Sequence, residues 1–348
     1  MERIEWIDAI KGIGILLIML SHCINFEGLD YLTAGYIPLF FIISGITFSP
    51  NKNSLVKRLK RLLYPNYIYA FIITIIFSIP HIIFKWGWTK MFYGWANLLY
   101  SRNRVYEGSL HNNIILEGVF PVITWFLTAM SISYILLYGY FKINIKWRNI
   151  YILFSLISLI LICLQKRLLP WSMDTALILW LFILFGYKFK SFFINLSINI
   201  PTLVLSCILL MLYYILVNIN GSPNYSIRYW GNFNILSIPC CFIIGILYTY
   251  IATCVTLLIK KTFLFKPLAI VGQASLTLMC LHLAIYRCCD FTIMIMQIAN
   301  INLYVLGLIK MLSAILIVFY FKTFINKYNI SQEGRHRFQN QEFRAAFF

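Results

Sequence analysis

The sequence predicts an all-α integral membrane protein, a bundle of about ten transmembrane helices with both termini on the cytoplasmic side. Three observations carry that expectation. Hydrophobic residues make up 61% of the 348 and charged residues only 11%, whereas a soluble domain carries about 25% charge. Apolar runs of a length suited to crossing a bilayer, roughly 17 to 25 residues, recur along the chain. The basic residues fall between these runs, and mostly on alternate linkers.

The runs lie near 7–25, 36–49, 64–84, 121–141, 150–164, 174–189, 201–218, 235–258, 267–286 and 303–322, of which 36–49, 150–164 and 174–189 are short. Of the 29 Lys and Arg, twenty sit on the side that carries both termini and eight on the other, with Lys310 inside the last run. By the positive-inside rule the richer side is cytoplasmic. The formal charge of +18 is thus read as a topology signal, and nucleic acid is not expected as a partner. A short charged segment precedes Ile13 to Leu20, but no small-residue cleavage pattern follows, so the first run is expected to stay in the protein. Residues 1–330 form one transmembrane domain, and the polar, basic stretch 331–348 reads as a mobile cytoplasmic tail. The nine Cys are scattered among apolar residues without CxxC or zinc spacing, so no metal is expected.

Within the first run, WIDAIKGIGILLIMLSH, stand three groups that lipid disfavours: Asp8, Lys11 and His22. Titratable side chains in a span normally face a protein interior or a watery cavity. Eleven helical residues turn through roughly 1,100°, which leaves Lys11 and His22 about 20° apart on one face and about 16 Å apart along the axis. A neutral imidazole is the usual general base near pH 7 and can take a proton from a hydroxyl; an interhelical hydrogen bond is the plainer use of such a histidine. Asp8 is near enough to pair with Lys11 but too far to orient His22.

The basic run Lys52, Lys57, Arg58, Lys60 and Arg61 precedes the span that starts at Tyr64. It suits anionic lipid headgroups or topology, or else a phosphate clamp, since Arg58 and Arg61 share a face if the run is helical. No glycine-rich phosphate loop accompanies it. PLFFIISG reads as a helix-packing surface. Trp125, and Asp174 beside Trp171, sit at outer boundaries as anchors or acceptor-side groups, and the outer linker 85–120 mixes Trp, Tyr and Asn, residues that stack on and hydrogen-bond sugars or form an interfacial belt. His282 lies toward the outer end of its span; Lys310 needs a partner that the sequence does not name.

The ordered set WIDAIKGIGILLIMLSH, PLFFIISG, KRLKRLLYP, TWFLTAM, LPWSMDTALILWLFILFGYKF and VGQASLTLMCLH resembles the membrane-bound acyltransferase family 3, and within it the sugar O-acetyltransferases similar to fucose 4-O-acetylases. The resemblance spans nearly the whole chain. It implies transfer of an acyl group, usually acetyl from cytoplasmic acetyl-CoA, to a hydroxyl of a cell-envelope polysaccharide or lipid-linked sugar. By position it implies His22 as the catalytic base and Lys11, Arg58 and Arg61 as donor-binding residues, and it matches Trp125 and His282, which with the outer-boundary Asp174 are expected on the acceptor side. Lys11 stands where many members have Arg, so a point charge replaces a bidentate fork. Location in the cell membrane, contact with lipid, and an oligomeric state left open complete the expectation. The rival class is a transporter or flippase of a lipid-linked saccharide, with His22 and Lys310 as relay groups; paired halves with broken segments, which transporters often show, are not seen in the sequence.

Overall fold

The computed structural model describes residues 4–83, 88–102, 104–107, 113–117, 120, 123–164, 168–296, 301–321 and 323. Eight helical stretches among them are long and apolar enough to cross a membrane: Leu29–Ile46, Lys52–Ile79, Ile145–Leu164, Pro170–Lys188, Ile200–Asn220, Asn234–Lys261, Ser275–Ile295 and Leu303–Phe321. Two further helices, α1 (Glu5–Ser21) and α6 (Trp125–Lys142), occupy the remaining apolar runs. The all-α bundle is therefore as expected. Its one departure among the described residues is a short antiparallel hairpin, β1 (Arg104–Glu107) with β2 (Asn113–Glu117), in the long linker.

Burial sorts the helices. The spans containing α3 (Tyr36–Ile46) and α8 (Met173–Lys188) are 67% and 61% buried, while those of α7 (Arg148–Leu164) and α10 (Ile200–Asn220) are 11% buried and α14 (Leu303–Phe321) 17%. The first pair is the centre of the bundle. The others turn Ile, Leu and Phe outward, the surface that lipid solvates. Between α3 and α8 the backbones nearly touch: a Cβ on Gly45 would stand 2.0 Å from the Ile183 carbonyl oxygen, and one on Gly186 2.0 Å from that of Ile42. Close approach of this kind is how helices associate where no hydrophobic force separates side chain from solvent.

Two boundaries differ from the sequence reading. The basic run, which the sequence placed before the span that starts at Tyr64, is continuous with it and forms the first turns of one helix, α4 (Lys52–Ile83), of 32 residues. The apolar run 267–286 is broken at Ala274 into α12 (Phe265–Gln273) and α13 (Ser275–Ile295), and α13 continues past Arg287 and Asp290. Apolar content marks where lipid ends, whereas helix hydrogen bonding carries on as far as the backbone is undisturbed. The tail 331–348, and with it Trp86, Asn103 and Asn112 of the long linker, lies outside the described residues.

Candidate active site

A cavity of about 690 Å³ opens where α1, α3, α4, α6 and the α12–α13 break converge. Its size is that of a small-molecule site. Lys11, Lys57, Arg58 and Arg61 line it, with Asp8 the one carboxylate among the lining residues. The structure thus brings together all three residues that the sequence assigned to the donor. The helical start of α4 is the reason: three residues apart on one helix, Arg58 and Arg61 face the same way. Arg58 is fixed in place. It donates to the Thr47 carbonyl oxygen and, at 3.1 Å, to the Tyr134 hydroxyl, and its guanidinium lies 5.3 Å from the Tyr134 ring centre and 5.7 Å from that of Phe48. Lys57 and Arg61 are exposed to the cavity mouth. Sequence reasoning missed Tyr134, although the fourfold spacing of Phe126, Met130 and Tyr134, which all line the cavity, was a readable helical stripe.

Helix α1 is pinned against this cavity by α12. A Cβ on Gly12 would meet the Leu268 carbonyl oxygen at 2.0 Å, and one on Gly272 would collide with the Asp8 carbonyl, so both positions require glycine. With its base held there, α1 carries His22 at its far end, as the C-cap. His22 is solvent-accessible at that end of α1. The ring centre of His282, from α13, stands 5.4 Å away.

His282 is fully buried. Its Nδ1 lies 2.8 Å from the Leu278 carbonyl oxygen, an atom that can only accept, so Nδ1 carries the proton and Nε2 presents a lone pair. That Nε2 is buried with no hydrogen-bond partner. Tyr286, one turn on, packs edge-on against His282 at 5.6 Å and donates its hydroxyl to the Met19 carbonyl oxygen at 3.2 Å, which also accepts from the His22 backbone N–H. The pairing of the two histidines was not legible in the sequence, because 260 residues separate them and no local pattern links α1 to α13.

The other sequence-derived residues are placed elsewhere. Trp125 is buried at the start of α6 behind Phe126, their rings 5.9 Å apart; it is Phe126 that reaches the cavity. Asp174 is 0% exposed and closed in by Arg102, Arg228 at 3.4 Å, and the backbone N–H groups of Thr175 and Leu169. Arg102 also donates to the carbonyl oxygens of Leu169 and Ser226. This clamp joins three linkers. Burial, with Arg228 nearby, lowers the Arg102 guanidinium to about 9, which leaves it charged at neutral pH. Ser101, Trp171, Ser172 and Arg228, all beside the clamp, have φ between 54° and 59°, left-handed conformations that non-glycine residues hold only when their surroundings impose them. Asp174 is enclosed by these partners, with none of its side chain exposed. Lys310, whose partner the sequence left open, pairs with Asp290 at 2.6 Å, so it is not an isolated relay cation.

A cationic cavity thus lies at one end of α1 and His22 at the other. The model of a family described as an acyltransferase domain matches residues 4–324. The chain belongs to acyltransferase family 3. It is accordingly a multi-pass membrane enzyme that transfers acyl groups. No curated protein and no solved structure matched the chain.

Proposed function

We propose that this family 3 acyltransferase takes an acyl group, acetyl in the first instance, from acyl-CoA on the cytoplasmic side and transfers it to a hydroxyl of a cell-envelope polysaccharide or lipid-linked sugar, with His22 as general base. The observation that carries the reading is the convergence of Lys11, Lys57, Arg58 and Arg61 on one cavity at the base of the helix whose other end bears His22. Four cations facing a site of this volume suit a donor with several phosphates, and charge-assisted contacts to phosphate are the strong ones. The positive-inside count supports a cytoplasmic position for this end of the bundle, where acyl-CoA is found.

In this reading the residues divide the work. Lys11, Arg58 and Arg61 hold the donor's phosphates; Tyr134 and the Thr47 carbonyl keep Arg58 from swinging away. His22 removes the proton as the acceptor oxygen bonds to the thioester carbonyl carbon, and returns it to the sulfur as the carbon–sulfur bond breaks. The ester and free thiol that result balance the reaction, with no covalent enzyme adduct. His282, whose ring centre stands 5.4 Å from that of His22, packs beside the base and holds its ring in place. Purified protein incubated with labelled acetyl-CoA and envelope glycans tests the reading. Label should appear on the glycan in ester linkage; movement of a lipid-linked saccharide without label would return the transporter alternative.

A further inference from the structure

Beyond the histidines, one buried side chain has neither of its polar atoms paired. Asn66 of α4 is 1% exposed, and both its amide nitrogen and its amide oxygen lack a hydrogen-bond partner. No other residue among those described has two such atoms. A buried polar group left unpaired carries the full desolvation cost, so an unpartnered amide within a membrane bundle calls for a ligand group to complete it.

Its position says which group. Leu62, one turn before Asn66, lines the cationic cavity together with Met279 of α13. Ala70, one turn after, belongs to a buried cluster with Ala284 and Leu281 of α13. The two helices therefore run side by side in the same direction, and Asn66 falls at the level of His282, which lies three residues beyond Met279. His282 in turn touches His22. Between the cavity that takes the phosphates and the base that takes the proton, the donor's thioester has to pass this level of α4 and α13, where the Asn66 amide nitrogen has no partner.

We propose that Asn66 is a catalytic residue whose side-chain N–H donates to the thioester carbonyl oxygen and stabilises the negative charge that develops there as the acceptor oxygen attacks. The proposal rests on the acyl-CoA reading above. A donor fixed in a site shut off from water meets the developing charge without reorganising, and removal of one such donor typically lowers kcat about 10²- to 10³-fold.

The test uses the full chain in nanodiscs and acetyl-CoA carrying ¹³C at the carbonyl. Infrared difference spectra of the bound thioester should show a carbonyl band moved to lower frequency in the wild type and in His22→Ala, and an unmoved band in Asn66→Leu. Free CoA should bind Asn66→Leu as it binds the wild type, the melting temperature should stay level or rise because an unpaired polar group has been removed, and thiol release from acetyl-CoA should fall about 10²- to 10³-fold. Asn66→Ala repeats the measurement should the larger side chain disturb packing. A carbonyl band unmoved in the wild type, or equally moved in Asn66→Leu, overturns the proposal, as does a fall in turnover that merely follows lost stability. Failure of the wild type to bind acetyl-CoA at all overturns the donor reading and this proposal together, which separates the two failures.

Discussion

Arg102 and Arg228 at one end of the bundle close on Asp174 in a clamp with the carboxylate 0% exposed, while Lys11, Lys57, Arg58 and Arg61 at the other line an open cavity that includes only Asp8 as a counter-charge. The same side-chain chemistry serves two ends. In the clamp two arginines share one fully buried carboxylate, the carbonyl oxygens of Leu169 and Ser226 accept from Arg102, and left-handed residues on each side show the linkers bent to make it so. At the cavity the cations outnumber the carboxylate and two of them, Lys57 and Arg61, are exposed. Burying charge without a partner is costly, so an enclosed ion cluster secures a structure, whereas a cation-rich recess is completed by something that arrives. Changes at the two ends should therefore fail in different ways.

The largest expected effect is on turnover. His22→Ala should lower acyl transfer about 10²- to 10⁴-fold, the usual loss for a general base, with insertion and melting temperature near those of the wild type. Measured transfer rates within a few-fold of normal in a well-folded variant would leave His22 as a packing residue and dissolve the functional half of the comparison.

The clamp should behave in the opposite way. Asp174→Ala leaves two arginines in its place without their anion, and breaking a buried pair by removing one partner costs about 3–5 kcal/mol. Yield and melting temperature should fall, and whatever protein survives should bind CoA normally. The double change Arg102→Met, Asp174→Leu removes the charges together and should recover much of the stability. A stable Asp174→Ala protein that no longer accepts acyl groups on a glycan would instead move Asp174 to the acceptor site.

A smaller effect sharpens the cavity itself. Lys11→Arg keeps the charge and should retain most of the donor affinity, with a change of a few-fold at most, checked by titration with CoA. Loss comparable to that of Lys11→Ala would mean that the compact ammonium, and not charge alone, is required.

The fold was largely legible because membrane solvation writes itself into composition: each lipid-facing helix must be apolar along its length, so the runs could be read one by one. Lys11 and the Arg58–Arg61 pair were legible for a related reason, since a charge inside or beside an apolar run stands out. What was hidden depended on which helices meet. Asp174 lies 72 residues from Arg102, His22 lies 260 from His282, and Lys310 lies 20 from Asp290 across a chain reversal. None of these separations leaves a periodic trace. Asn66 was invisible for a different reason: an asparagine in an apolar run is ordinary until its neighbours are known to offer no partner.

The central claim is that donor binding and proton transfer occupy opposite ends of α1. Isothermal titration of CoA into the Lys11→Ala and His22→Ala proteins tests it most directly. The account predicts that Lys11→Ala weakens CoA binding about 10- to 150-fold, the worth of roughly 1.5 to 3 kcal/mol for a charge-assisted hydrogen bond, while His22→Ala binds CoA as the wild type does. Normal CoA affinity in Lys11→Ala, or weakened affinity in His22→Ala alone, would contradict it.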